Sequence, residues 1–367
     1  VFPTLDAATR SLPALVATGA ATLELMDATS LRVGQRLAGT PAAIHGFEAT
    51  TQAALLVEYH ADDASRLREL AAAGARVLGA EDLRTPAVFS SDPAQRAAAW
   101  TFRKGLYASV AGARPSGTTA LLEDVVVPVA RLADTCAGLQ ELFARFGYDD
   151  SVIFGHAKDG NIHFMLTDRF EGAKALGRFE GFTDAMVDLV LDAGGNLKAE
   201  HGTGRAMTPY VRRQYGDELY DVMVRLKRLL DPSGILNPGV IIDDDPTAHM
   251  RNLKTPVSIE SEADRCVECG YCEPVCPSRS LTLTPRQRIV VRRASTAARE
   301  RGDGALVAEL EKDYDYDGVQ TCAVDGMCQT ACPVLINTGS LMKRFRREDA
   351  NPALAATLKA IAKDGAS

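Results

Sequence analysis

Residues 151–168 read SVIFGHAKDGNIHFMLTD. Two strand-like apolar runs flank Asp159-Gly160, the strongest two-residue signal for a β-hairpin turn. Counting outward from that turn pairs Lys158 with Asn161, Ala157 with Ile162 and His156 with His163. The two histidines are therefore expected directly opposite each other, with Cβ atoms ~5 Å apart, a separation from which two imidazoles can share a metal ion. The two-residue period puts Lys158 and Asn161 on the same face as the pair. The alternative is a packed cross-strand pair with no ligand.

Two imidazoles make a weak site, so a third ligand is expected. KAEHGTGR (198–205) offers it, with Glu200 and His201 followed by two glycines at a strand end. Two histidines and one glutamate with an open position can polarise a bound oxygen. His156, His163 and Glu200 are the expected ligands, for zinc or manganese. His201 is left as a general base or a structural residue. Gly202 and Gly204 let backbone approach a flat cofactor, or simply make a tight turn.

Outward from the hairpin, AALLVEYHA and LLEDVVVPVA read as strands between Ala- and Leu-rich helical runs, so the expected class is α+β, an antiparallel sheet with helices. FTDAMVDLVLDAGG and DELYDVMVRLKRLLDPSG read as amphipathic helices, ended by Gly194-Gly195 and Asp231-Pro232. The expected division is a first domain over 1–242, a polar linker over 243–262, a cysteine-bearing α-helical domain over 263–350, and a tail or the start of another domain over 351–367.

Seven of the eight cysteines lie between 266 and 332. That clustering favours metal ligation over disulfides. Cys136, alone in LADTCAGLQELF, reads as a buried small hydrophobe. CVECGYCEPVCP fits C-x2-C-x2-C-x3-C-P, in which three thiolates wrap one corner of a cubane and the fourth goes to a partner cluster. CAVDGMCQTACP repeats the register with Asp325 in place of the second cysteine. Crosswise assignment gives Cys266, Cys269, Cys272 and Cys332 to one cluster, and Cys322, Cys328 and Cys276 to the other. Asp325 is either the fourth ligand of the latter, making it 3Fe-4S or 4Fe-4S with a labile iron, or only a turn residue with Gly326. The segment between the two runs is helix-like. Its arginines, with Lys343, Arg344, Arg346 and Arg347, suit an acidic partner or an anionic membrane surface, or form a solvated helix face.

The chain has 367 residues, 46% of them hydrophobic, and a net charge of −7. That length and apolar content fit two domains with true cores, and interspersed charge of both signs argues against a nucleic-acid binder. No apolar run is long enough to span a bilayer, and VFPTLDAATR lacks the order of a signal peptide. A cytoplasmic location, or peripheral attachment at the inner face of the membrane, is expected.

GHAKDGNIH, AEHGTGR and DPSGILNPG, in this order, resemble the C-terminal half of the FAD-linked oxidases of the vanillyl-alcohol oxidase type, above all the D-lactate, glycolate and D-2-hydroxyglutarate dehydrogenases. The cysteine module looks like that of members fused to a ferredoxin domain. The resemblance implies that His156, His163 and Glu200 hold a divalent metal gripping a substrate carboxylate and hydroxyl. It implies that His201 takes the hydroxyl proton while the α-hydride goes to FAD, and that Asn161, Gly202, Gly204 and Asn237 lie at the cofactor. Arg103, in WTFRKGL, occupies what looks like the substrate-carboxylate position. Lys158 stands where many relatives have Gly, and would favour a diacid.

The family's N-terminal FAD-binding domain is not in this sequence, and relatives continue into a further cysteine-rich domain, so the chain is expected to be a fragment whose missing FAD domain is a partner. The implied function is a flavin- and iron-sulfur-dependent D-2-hydroxyacid dehydrogenase passing electrons to a quinone or protein acceptor. Its rivals are a non-catalytic electron-transfer subunit and a same-fold flavoenzyme acting on another alcohol.

Overall fold

In the computed structural model, residues 1–36 and 40–350, with 356, 357 and 361, are described. Apart from those last three, the expected tail 351–367 lies outside the described residues. The chain divides into two units, Val1–Val110 with Thr118–Thr255 and Ala111–Gly117 with Pro256–Ser367. No described helix is long and apolar enough to cross a membrane.

The first unit is built on five antiparallel strands: β1 (Thr22–Met26), β2 (Ala54–Glu58), β3 (Thr119–Val126), β4 (Val152–His156) and β5 (Asn161–Asp168), in the order β2-β1-β4-β5-β3. Alternation divides their side chains between two faces. Leu23, Leu25, Val125, Ile153, Ile162 and Phe164 point to one of them and are buried in the main core. The helices Leu132–Phe146 and Gly172–Asp192 supply Phe143 and Phe182, stacked 5.8 Å apart, with Phe143 also 5.8 Å from Phe164 of β5. Aromatic pairs at this spacing add to area burial.

Met26 and Ala54 lie on the opposite face, where a smaller apolar cluster with Phe102 and Leu106 seats the helix Pro93–Ala113. The same face also carries Glu24, Asp124, His156 and His163, and it is the one that matters for chemistry.

The hairpin differs from its expected register. β4 and β5 pair Val152 with Met165, Ile153 with Phe164 and Phe154 with His163. A two-residue turn would have opposed His156 to His163. Instead a 3-10 turn over Ala157–Asp159 closes on Gly160 (φ 73°), whose N–H donates to Ala157 O at 3.1 Å. The offset is even, so both histidines keep the same face and meet diagonally, with ring centroids 5.3 Å apart. Lys158 moves into the turn, off the strand face expected for it.

In the second unit, Ala263, Ile289, Tyr314, Val319, Ile336, Leu341 and Met342 form a small core. The helix Pro285–Glu300 opens with a capping box, Thr284 and Gln287 each satisfying the other's backbone N–H.

Candidate active site and cluster module

Four strands each deliver one side chain to the polar face. Glu24 of β1 is directly opposite His156 of β4, and His163 of β5 is directly opposite Asp124 of β3. Glu200 closes the group: its Oε1 lies 3.3 Å from His156 Nε2 and 3.0 Å from His163 Nε2. The ligand atoms of His156, His163 and Glu200 all fall within 4.8 Å of one another.

The far sides of both rings face carboxylates. His156 Nδ1 is 2.7 Å from Glu24 Oε1, and His163 Nδ1 is 3.5 Å from Asp124 Oδ1. Carboxylates behind the non-ligating nitrogens are what orient metal-bound histidines and free their Nε2 lone pairs. The donor set therefore fits a divalent cation. The hydrogen bond that His156 donates to the Glu24 carboxylate raises the His156 pKa, whereas burial pushes that of His163 down to about 4.

Asp124 belongs to a second possible grouping, with His163 and His201, but its oxygens are committed elsewhere. Oδ2 accepts the backbone N–H groups of Ala199, Glu200 and His201 at 2.9, 2.8 and 2.9 Å, and Oδ1 accepts the Asn161 amide at 2.6 Å. Burial pushes its pKa up, yet the amides of His201 and Glu200 outweigh this and the carboxyl titrates below the usual range. Asp124 thus fastens the segment carrying Glu200 and His201 to the sheet.

His201 stacks on His163 at 4.9 Å, its Nε2 3.5 Å from Glu200 Oε1. Arg103 lies in the helix Pro93–Ala113. It is 8% exposed, with Nη2 2.9 Å from Glu24 Oε2 and its guanidinium over the Phe154 ring.

The remaining expected residues scatter. Asn161, expected at the cofactor, is buried and donates its amide to Asp124 and Val125 O. Lys158 lies 4.0 Å from Asp159 in the turn. Gly202 and Gly204 have positive φ (74° and 56°) and are exposed, with open space around Gly202; Asn237 is exposed at φ 47°. These three leave backbone accessible to a flat ligand. Glu24 and Asp124 were not anticipated. The signal for Asp124 was visible in LLEDVVVPVA, where two acids interrupt an apolar strand, and Glu24 interrupts TLELM in the same way.

In the second unit, burial pushes the Cys272 thiol up to about 12, and the neighbouring thiols of Cys266, Cys332 and Cys269 add to the shift. Those four cysteines are the set that crosswise pairing assigns to one cluster. Loops shape their surroundings: the N–H of Glu268 (φ 59°) lies 3.4 Å from Cys266 Sγ, and Arg293 Nη2 donates to Cys266 O at 3.1 Å. Cys276 and Cys328 are buried. Asp325 is exposed, its Oδ1 accepting the Met327 N–H at 3.2 Å beside Gly326 (φ 76°), which is the turn role foreseen as one alternative. Part of the basic cluster serves the fold: Arg344 pairs with Glu262 and Glu348, and Arg346 donates to the carbonyls of Val319, Gln320 and Cys322.

A histidine–carboxylate cluster on one unit and a cysteine array on the other are the marks of an iron–sulfur oxidoreductase. Residues 1–241 match the FAD linked oxidases, C-terminal domain, and the chain belongs to that family. Residues 262–336 match the 4Fe-4S dicluster domain. The glycolate oxidase subunit GlcD of Bacillus subtilis is 28% identical over 254 residues, 67% of this chain and 50% of that protein. A mitochondrial D-lactate dehydrogenase (cytochrome) of Kluyveromyces lactis is 32% identical over 164 residues, 44% of this chain and 28% of its own length. A D-2-hydroxyglutarate dehydrogenase of Xanthomonas citri pv. viticola is 30% identical over 164 residues, 44% of this chain and 34% of its own. The chain spans half or less of the length of these relatives.

Proposed function

We propose that this chain forms the substrate-binding and electron-exit parts of a flavin-dependent D-2-hydroxyacid dehydrogenase. The observation that carries the proposal is the convergence of His156, His163 and Glu200, with Glu24 and Asp124 behind the two imidazoles. When bound, a divalent ion supplies Lewis-acid polarisation, FAD accepts a hydride, and the clusters relay single electrons to a quinone or protein acceptor.

His156, His163 and Glu200 would hold the ion, which would supply Lewis-acid polarisation to the oxygens of the substrate. Burial keeps His163 neutral and ready to ligate. Arg103, buried on the same face, supplies the fixed cation for a substrate carboxylate. His201, half-exposed beside Glu200, accepts the hydroxyl proton. Lys158, at the turn, is the group to which a second carboxylate of a diacid would bind.

Dye-coupled oxidation by the natural full-length protein across D- and L-2-hydroxyacids tests the reading. Turnover with at least one D-2-hydroxyacid is expected, together with one non-iron divalent ion per chain that is lost in His156→Ala. No D-2-hydroxyacid activity would end the proposal. Retention of the ion by His156→Ala would end the ligand assignment. For the diacid, Lys158→Ala is expected to lower kcat/KM for 2-hydroxyglutarate relative to lactate.

A further inference from the structure

Among the described residues, the largest fully buried side chain is an arginine. Arg288, on the helix Pro285–Glu300, is 1% exposed. Its neighbours on that helix are neutralised: Arg286 pairs with Glu273, Arg292 with Glu260, and Arg293 with Glu268. Arg288 alone of these has no carboxylate partner among the described residues. Its Nε donates to Gly318 O at 2.5 Å, its Nη1 lies 3.8 Å from Cys276 Sγ, and its Nη2 is buried with no hydrogen-bond partner.

An arginine cannot shed its proton, and an unpaired charge removed from water is destabilising by several kcal/mol or more. A folded protein that buries one therefore places an anion beside it. The neighbour here is the sulfur of Cys276, which crosswise pairing assigns to the cluster of Cys322 and Cys328. A thiolate-ligated iron–sulfur cluster supplies the missing anion, and hydrogen bonds to cluster sulfur together with local charge set its potential.

We infer that Arg288 is the internal counter-charge of the cluster that Cys276 ligates, and that it holds the reduction potential of that cluster up. Reduction adds one electron and no proton, so the cluster becomes more negative by one unit. The electron comes from a reduced flavin in the proposed enzyme, or from dithionite in a titration. A fixed positive charge at the ligating sulfur stabilises the reduced form more than the oxidised one. The inference rests on the crosswise cluster assignment and not on the identity of the substrate.

The test is EPR-monitored potentiometric titration of the natural full-length protein with its clusters loaded, comparing wild type, Arg288→Lys and Arg288→Met. The signal of the Cys276 cluster is identified as the one lost in Cys328→Ser. A charged donor at the ligating sulfur favours the more negative, reduced cluster over the oxidised one. Arg288→Met is therefore expected to disfavour reduction of that cluster about tenfold or more, a fall of ~59 mV for a one-electron couple. The other cluster should move less than twofold, and Arg288→Lys should fall between wild type and Arg288→Met. An unmoved midpoint, an equal shift of both clusters, or a shift confined to the other cluster would each overturn the inference. Should Arg288→Met fail to assemble the cluster, wild type labelled with 15N-arginine decides the matter. A 15N hyperfine coupling on that cluster's signal is expected, and its absence removes Arg288 from the cluster.

Discussion

Asp124 shows how much one carboxylate can organise. A single buried side chain accepts three consecutive backbone amides and one side-chain amide, and in doing so positions both Glu200 and His201. Asp124→Ala would strip one buried and three part-buried donors of their acceptor, so a loss of about 1–3 kcal/mol is expected. Chemical denaturation followed by fluorescence of Trp100, the only tryptophan, measures it. The two histidines are shifted in opposite directions from the ordinary imidazole value. His163 is neutral above about pH 4, while Glu24 raises the pKa of His156. Below the His156 pKa, binding an ion to the metal-free protein should therefore release up to one proton, from His156, and affinity should weaken ~tenfold per further pH unit. Calorimetry in buffers of different ionisation enthalpy counts that proton. Glu24→Gln removes what raises the pKa, so the onset of binding moves to lower pH. Cys136 is buried and its thiol pKa is raised by burial. Alkylation followed by peptide mass spectrometry should find it unmodified in the native protein and modified in denaturant.

At the scale of elements, the hairpin shows what local sequence encodes and what it leaves open. Alternation and the Asp-Gly pair identified both strands and the face they share. They did not distinguish a two-residue turn from the longer connection closed at Gly160, because a glycine at positive φ completes either one. What excludes a side chain there is distant in sequence: a Cβ on Gly160 would stand 1.8 Å from Val127 O. Gly160→Ala is expected to lower stability by at least ~2 kcal/mol through clash and backbone strain, read as a lower denaturation midpoint. β1 was not anticipated, since a run of five residues is too short for its alternation to stand out, and Glu24 was missed with it. The helix Val211–Leu230 was legible only from Asp217 onward, past the non-helical backbone of Gly216 (φ 79°). The histidines and Glu200 were legible because their residue types announce ligation; Glu24 and Asp124 were not, because their roles depend on strand neighbours far away in the chain.

For the molecule as a whole, the first unit leaves a broad apolar surface in water. Leu219, Val222, Leu226, Leu229 and Leu230 of the helix Val211–Leu230, followed by Ile235 and Leu236, are all exposed. A contiguous apolar surface of this kind promotes association. This chain produced alone should scatter light increasingly with concentration, and Leu226→Ser with Leu229→Ser should suppress the effect without changing the circular dichroism spectrum. The polar face has a different consequence. Glu24, His156, His163 and Asp124 come from four strands, and Glu24 meets His156 across 132 residues of chain. No local fragment can reproduce that geometry, so the unfolded chain offers the ion no equivalent site. Occupancy would therefore act as a thermodynamic clasp on the entire sheet, adding about 2.7 kcal/mol to folding when free ion stands at 100 times its Kd. Melting temperature would rise with ion concentration, and chelation would loosen strands that never touch the ion.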